Sequence, residues 1–163
     1  MRVLILLGLF PFVFSCHSKN NTVFSKNVAI ENGWLYSEPI TFKIPSVDLD
    51  QNHYYDYFLL VRNNKSYPFE NLFLISAFKD KNSLIYQDTL EYLMANKDGR
   101  LTGSGFGSIK TNKFVLKEKV QTPSRDSFEI EIRHAMRHID EVSSITSLSG
   151  IHSLELRIDQ VIE

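Results

Sequence analysis

The sequence predicts an all-β protein, an antiparallel β-sandwich of jelly-roll or immunoglobulin-like type with about seven to nine strands. Three observations favour this fold class. Apolar residues recur at every second position in several stretches, as they do in strands that bury one face. Turn residues separate these stretches. No long stretch has the spacing that is typical of an amphipathic helix.

The chain begins with the features of a bacterial secretion signal that ends in a lipidated cysteine. Residues 3–14 are apolar and uncharged, and as a helix they would extend about 18 Å, well short of a hydrocarbon core of roughly 30 Å. The Val-Phe-Ser-Cys sequence at 13–16 is typical of a lipobox, in which the thiol is diacylglycerated and the preceding peptide bond is cut. Residues 1–15 are therefore predicted to be a signal peptide and Cys16 the lipidation site. The alternative is an ordinary signal peptide followed by a coincidental cysteine.

The charge and cysteine content of the mature chain restrict its partners. Removal of residues 1–15 takes away Arg2, one of 18 basic residues, and leaves 17 against 19 acidic residues, a net charge of −2. This balance argues against a nucleic-acid partner and against electrostatic binding to a membrane surface. Cys16 is the only cysteine, so no disulfide can form within the chain and the fold must rest on its core. The 148 residues that follow position 15 can bury such a core in one domain.

Residues 16–27 are predicted to be the lipidated cysteine and a polar tether, and residues 28–163 the β-sandwich domain. The first clear strand of the domain is predicted at 40–44, where apolar residues alternate with polar ones. Pro45 ends this strand, because proline cannot donate to a ladder.

Two stretches, 54–61 and 72–78, are apolar at nearly every position. This pattern is typical of central strands that are covered on both faces. Phe58 and Leu59 point to opposite faces of the first of these strands, so both are expected to be buried.

The second half of the domain is predicted to contribute further strands. Two are expected at about 84–93 and 113–120, with a tight turn at 96–99 between them. The clearest alternation in the chain lies at 128–134 and 154–158.

The stretch 133–142 fits a strand and a helix about equally well. Four apolar residues have helical spacing: Ile132, Ala135, Met136 and Ile139. We expect the preceding strand to continue to about residue 134 and an irregular or helical turn to follow it.

Motifs for catalysis or metal binding are weak. The segment 103–107 resembles a phosphate loop only superficially, because neither a lysine and hydroxyl pair nor a helix follows it, and a hairpin or bulge loop is favoured. His134 and His138 would meet one metal ion only on a helix, and the glutamate of a zinc protease is missing. Asp48 and Asp50 lack neighbouring oxygen ligands for calcium, which favours a solvated loop. No serine lies in a Gly-x-Ser-x-Gly elbow, so we predict no enzyme activity, no metal and no cofactor.

Aromatic residues are concentrated in the first third of the mature domain, namely Trp34, Tyr36, Tyr54, Tyr55, Tyr57, Tyr67 and Phe69. Most of these rings are expected to fill the core. The alternative is that some are displayed on the surface, where they stack on sugars or anchor a protein partner.

The connection 62–69 is the candidate partner-binding segment. It carries Arg62, Tyr67 and Phe69 around a proline, which stiffens the bend and reduces the entropy lost on binding. These three residues, together with Trp34, are the predicted contacts for a partner. The alternative is that Tyr67 and Phe69 fold back over the end of the sandwich while Arg62 binds loop carbonyls.

Several short segments are informative in combination. They are the lipobox, Glu-Asn-Gly-Trp at 31–34, Tyr-Phe-Leu-Leu-Val-Arg-Asn at 57–63, Tyr-Pro-Phe-Glu-Asn-Leu at 67–72, the glycines at 103, 105 and 107, Met-Arg at 136–137, and Ser-Gly-Ile at 149–151. Together they resemble the gliding-motility lipoproteins of the GldH type found in Bacteroidetes. The Arg-Asn and Tyr-Pro-Phe-x-Asn-Leu block is the most specific part. The resemblance extends over nearly the whole mature chain and departs at 150–155, where an Asp-Val-Gly-like stretch is expected.

This resemblance implies a cell-envelope lipoprotein needed for surface gliding, with acyl chains such as palmitate on Cys16 and a place in the outer membrane facing the periplasm. It implies partners among other gliding lipoproteins and the type IX secretion apparatus, and no catalytic residues. Two functions stay open. One is a noncatalytic interaction module for these envelope proteins, and the other is a glycan-binding lipoprotein that uses exposed aromatic residues such as Trp34.

Overall fold

The computed structural model describes residues 21–45, 48–81, 83–124, 126–139 and 141–162, so Cys16 and the predicted signal peptide lie outside the described residues. Within these ranges the chain forms ten β-strands and no α-helix. The strands are β1 (Thr22–Ala29), β2 (Trp34–Leu35), β3 (Ile40–Ile44), β4 (Tyr55–Asn63), β5 (Asn71–Asp80), β6 (Ser83–Leu93), β7 (Lys110–Val120), β8 (Phe128–His134), β9 (Ser147–Leu148) and β10 (Ile151–Gln160). The described part of the chain has no helix that could span a membrane.

Two four-stranded antiparallel sheets face each other, which confirms the predicted all-β sandwich. The first sheet has the order β1-β10-β4-β7 and the second β3-β8-β5-β6, while β2 and β9 form a short separate ladder. Aromatic rings from the two sheets meet between them, in the core and at the edge. The ring centroids of Tyr57 and Phe78 are 5.5 Å apart, and Tyr92 stacks on Phe114 at 4.2 Å.

The alternation of apolar and polar residues correctly predicted the strands whose outer faces are polar. The predicted strands at 40–44 and 128–134 are β3 and β8 with the predicted bounds, and the strand predicted at 154–158 is the middle of β10. Ile130 and Ile132 of β8 are fully buried. Their side chains point to the one face of this strand that meets the core.

The segment after β8 forms an irregular turn and contains no α-helix among its described residues. β8 ends at His134. Arg137 then pairs with Ser144 through a single bridge, and the Ile145 N–H donates to the Met136 carbonyl at 2.9 Å. Of the apolar residues that suggested a helix, Met136 is buried at the end of the second sheet, whereas Ile139 is exposed.

The expectation that β4 is covered on both faces is wrong. β4 is central in its sheet, and Leu59 is fully buried, but Phe58 on the other face is only half-buried. A two-layer sandwich leaves the outer face of each sheet without a covering layer. Phe58 is shielded there by long basic side chains, with the Lys113 ammonium 3.4 Å and the Arg157 guanidinium 5.9 Å from its ring centroid.

Regular structure begins earlier than the predicted tether 16–27 allows. Residues 22–27 lie in β1, which pairs with β10. Polar residues form this strand because it is an edge strand with much of its surface in water. The Thr22 hydroxyl donates to Asp159 and the Ser25 hydroxyl to Glu155, both at 2.7 Å.

The long strands run between two ends of the sandwich. The N-terminal pole contains Asn21, the loop 48–54 and the chain after β10. The distal pole contains the loop 64–70 and the described residues 135–139 and 141–146. Because β4 has nine residues, the two poles are about 30 Å apart.

Replacement of Leu59 and of Phe58 by alanine should therefore have unequal effects. Leu59→Ala removes a fully buried side chain and should lower the free energy of unfolding by about 2 to 5 kcal/mol. Phe58→Ala should cost about 1 to 2 kcal/mol, because this ring is half-buried under two cations. Urea denaturation measures both values, and equal losses would contradict the exposed outer face.

Candidate functional site

The connection between β4 and β5 is a rigid corner of the distal pole. Asn64 accepts the Ser66 N–H on its side-chain oxygen at 2.8 Å and the Tyr67 N–H on its carbonyl at 3.1 Å. This Asx turn bends the chain immediately after β4. The Tyr67 hydroxyl then donates to the Asn71 carbonyl at 2.6 Å, where β5 begins.

Gly150 lies directly against this corner. Its φ is +78°, and a Cβ atom at this position would lie 2.1 Å from the Tyr67 nitrogen. Only glycine allows the two backbones to approach so closely. The Gly150 carbonyl accepts the Asn64 N–H at 3.0 Å, and the Ser149 hydroxyl donates to the Ser66 carbonyl at 3.1 Å. The turn before β10 therefore locks the corner in place.

A cleft of about 810 Å³ opens beside this corner on the second sheet. It is lined by Phe69, Glu70, Asn71, Phe73, Ala135, Met136, Arg137, His138 and Ile139. We call it the distal cleft. One wall comes from the chain that enters β5 and the other from the irregular turn after β8.

The floor of the distal cleft is apolar and fixed by backbone contacts. The Phe73 N–H donates to the Met136 sulfur at 3.2 Å, and the Ala135 N–H donates to the Phe73 carbonyl at 2.8 Å. Phe69 stands on one wall, with its ring centroid 5.8 Å from that of Tyr67.

The rim of the distal cleft combines an exposed aliphatic side chain with charged groups. Ile139 is 92% exposed, so nearly all of its aliphatic side chain lies in water. Glu70, Arg137 and His138 are exposed around it. The arrangement suits an apolar side chain of a partner that is held between polar groups.

The predicted contact residues are distributed unequally between surface and core. Trp34 is 2% exposed and Tyr67 is 4% exposed, so neither ring is displayed to a partner. For Tyr67 the alternative holds, since this side chain closes the end of the sandwich, and burial raises the pKa of its hydroxyl. Arg62 is exposed on β4, and half-buried Phe69 is the one of the four that lines the distal cleft.

His134 is a buried residue of the core. It is fully buried, its Nε2 lies 3.2 Å from the Trp34 carbonyl, and its ring meets those of Trp34 and Tyr36 edge to face. Burial lowers the pKa of this imidazole, which favours its neutral form. His138 is exposed at the distal cleft instead. The described residues contain no group of three or more potential metal ligands.

The other weak motifs form local turns. The Asp50 side chain accepts the Asn52 N–H at 2.9 Å, and the Asp50 backbone exchanges two hydrogen bonds with the Tyr55 hydroxyl. The glycine-rich segment 103–107 precedes β7, and Ser104 and Thr111 exchange backbone hydrogen bonds at 3.0 and 2.7 Å. This is the geometry of a closed loop.

Sequence reasoning missed the second wall of the distal cleft, residues 135–139. A usable signal was present, because Ile139 and Val142 are apolar residues in an otherwise charged stretch. Both are strongly exposed, at 92% and 88%, but only Ile139 lines the distal cleft.

The chain is similar to a family of known proteins over most of its length. The family described as GldH lipoprotein matches residues 22–158. The chain is similar to a gliding motility lipoprotein GldH of Flavobacterium johnsoniae, with 36% identity over 156 residues that cover 96% of this chain and 94% of the relative. It is also similar to a gliding motility lipoprotein GldH homolog of Christiangramia forsetii, with 32% identity over 159 residues that cover 94% and 95% of the two chains.

Among solved structures, the chain aligns with dimeric latent PorU from Porphyromonas gingivalis. The TM-score is 0.37 and the identity 10%, and the alignment covers 86% of this chain and 13% of that chain.

Replacement of Gly150 by alanine should disrupt the rigid corner. The new Cβ atom would collide with the backbone of Tyr67 in addition to the cost of its positive φ, so the free energy of unfolding should fall by more than about 2 kcal/mol. Gly99→Ala is the matched control, since its φ is +76° but nothing lies within 4 Å of the added atom. It should cost only about 1 kcal/mol. Urea denaturation compares the two variants, and an equal loss would contradict the close contact.

Proposed function

The chain belongs to the GldH lipoprotein family, and from this membership we propose that it is a noncatalytic interaction protein of the cell envelope. It is a lipoprotein related to gliding motility. In the proposal, residues 1–15 are a cleaved signal peptide, and Cys16 carries acyl chains that include palmitate. These chains hold the protein in the outer membrane, facing the periplasm.

The single observation that carries the proposal is the position of the distal cleft. The described chain begins at Asn21, whose carbonyl accepts the Gln160 N–H at 2.8 Å at the N-terminal pole. The distal cleft lies at the opposite end of the same sandwich. A domain tethered at one pole and carrying an apolar cleft at the other is suited to hold a partner away from the membrane surface.

The chemistry of the distal cleft favours a protein partner. An apolar floor with a charged rim resembles the core and rim of a protein interface. The proposed partners are other envelope proteins of the gliding or type IX secretion machinery. The glycan-binding alternative depended on displayed aromatic rings, and burial of Trp34 and Tyr67 removes two of them.

Replacement of Cys16 by alanine tests the anchor. The variant should lose acyl labelling and move from the detergent phase to the aqueous phase or remain uncleaved, because several acyl chains are needed for durable anchoring. Detergent phase partition and labelling with a palmitate analogue measure this. Ser18→Ala is a matched control outside the lipobox and should behave as the wild type. Acyl labelling that persists in the alanine variant would refute lipidation at Cys16.

Replacement of Ile139 by aspartate tests the distal cleft. A carboxylate at this 92% exposed position should stop gliding. Docking would remove water from the carboxylate, and an apolar partner surface offers no group to replace that water. Stability and abundance should stay near wild type, since the side chain makes no buried contact. Gliding on agar, immunoblotting and thermal unfolding give the three readouts.

Phe106→Asp is the matched control for this experiment. Phe106 is also an exposed apolar residue of the distal pole, but it does not line the distal cleft. This variant should glide. Normal gliding of the Ile139→Asp cells would exclude the distal cleft as the functional surface.

A further inference from the structure

The chain between the proposed anchor and the folded domain is short. Residues 17–21 separate Cys16 from the start of β1 at Thr22. Five fully extended residues span at most about 18 Å. The N-terminal pole therefore cannot move farther than this from the membrane that holds the acyl chains.

The chain enters the domain beside a defined set of exposed side chains. The Asn21 carbonyl accepts the Gln160 N–H, and the Val161 N–H donates to the Tyr54 carbonyl, both at 2.8 Å. These bonds place the end of β10 and the start of β4 around the point where the tether arrives. Tyr54 and Ile162 are each 47% exposed there.

A crevice of about 780 Å³ lies at this point. It is lined by Asn52, His53, Tyr54, Lys119, Gln160, Val161 and Ile162. We call it the polar crevice. Its walls combine a tyrosine, an aliphatic side chain and a lysine, which is the combination found where proteins meet the lipid headgroup layer.

Lys119 is held in an unusual backbone conformation at the edge of the polar crevice. Its φ is +50°, which is rare for a residue with a side chain. The Asp56 carboxylate accepts its N–H at 2.8 Å and stabilises this conformation. Lys119 lies where the pairing of β7 with β4 shifts register between Lys117 and Val120, and bulges of this kind re-aim a side chain at the rim of a sheet.

We propose that the polar crevice is a lipid-contact surface that rests on the headgroups of the membrane in which the protein is anchored. Tyr54 and Ile162 lie among the headgroups, and the Lys119 ammonium binds a lipid phosphate. This inference rests on the proposed anchoring through Cys16. It deepens that function, because an upright domain presents the distal cleft about 30 Å above the headgroup layer.

Acidic and basic side chains are mixed at the N-terminal pole. The proposed contact therefore differs from the electrostatic binding of a basic patch to an anionic membrane. The His53 imidazole lies 3.6 Å from the Asp50 carboxylate, and Lys81 pairs with Asp126. The proposed contact therefore depends on the short tether and on side chains that suit the headgroup layer, more than on a negative charge of the membrane.

The test uses the lipidated full-length protein in vesicles of phosphatidylethanolamine and phosphatidylglycerol. Cys16 is the only native cysteine, so an introduced cysteine is the only free thiol once Cys16 is acylated. A fluorophore is attached at His53→Cys, in the polar crevice, or at Val142→Cys, an 88% exposed position of the distal pole. A nitroxide on the lipid headgroups should remove most of the fluorescence at position 53 and none at position 142.

A second variant tests whether the named side chains make the contact. Tyr54→Asp combined with Ile162→Asp, in the His53→Cys protein, should restore most of the fluorescence, because two carboxylates are repelled from the headgroup layer. Both side chains are half exposed, so the fold should be retained, and thermal unfolding checks this.

The outcomes separate this inference from the anchoring on which it depends. Wild-type protein that fails to float with the vesicles refutes the anchor at Cys16. Protein that floats, with equal quenching at both positions or none at position 53, refutes the lipid contact alone and favours a protein partner for the polar crevice. Unchanged quenching in the double aspartate variant refutes the roles of Tyr54 and Ile162.

Discussion

The antiparallel pairing of β10 with β1 and β4 is the interaction on which the geometry of the domain depends. Asn21 meets Gln160 at the last residue of β10, and Asn64 meets Gly150 immediately before its first. One strand thus connects the point where the chain enters the domain with the corner that supports the distal cleft. Because buried apolar residues alternate with polar ones from Leu154 to Asp159, a shift of one residue would expose the core face of this part of β10.

Much of the fold could be predicted from the sequence wherever water covers one face of a strand. β3, β8 and β10 alternate for this reason. β1 could not be predicted, because an edge strand that is exposed over most of its length has the composition of a tether. Phe58 on the outer face of β4 caused a different error. Because this residue is apolar, the sequence predicted that both faces of β4 are covered. Its cover consists of Lys113 and Arg157, which come from neighbouring strands and leave no trace in the local pattern.

The candidate site was only partly predictable, because it is assembled from segments that are distant in sequence. Residue spacing identified the corner at 62–69, and Phe69 does line the distal cleft. Residue spacing could not place residues 135–139 opposite this corner, since their position depends on the pairing of β8 with β5. Trp34 and Tyr67 also illustrate the limit of composition, because a large ring fits a core and a binding surface equally well until the sheets are assembled.

Close contacts hold the distal pole rigid on both sides of the distal cleft, and this rigidity bears on the proposed docking of a partner. The buried His134 ring, whose pKa is lowered by burial, lies against the Trp34 carbonyl and connects the β2–β9 ladder to the second sheet. Gly150 fixes the other side through its close approach to Tyr67. A cleft whose two supports are locked before binding loses little conformational entropy when a partner docks. The exposed side chain of Ile139 can then contribute its apolar surface at small cost, which is consistent with a surface that acts by holding a partner in place.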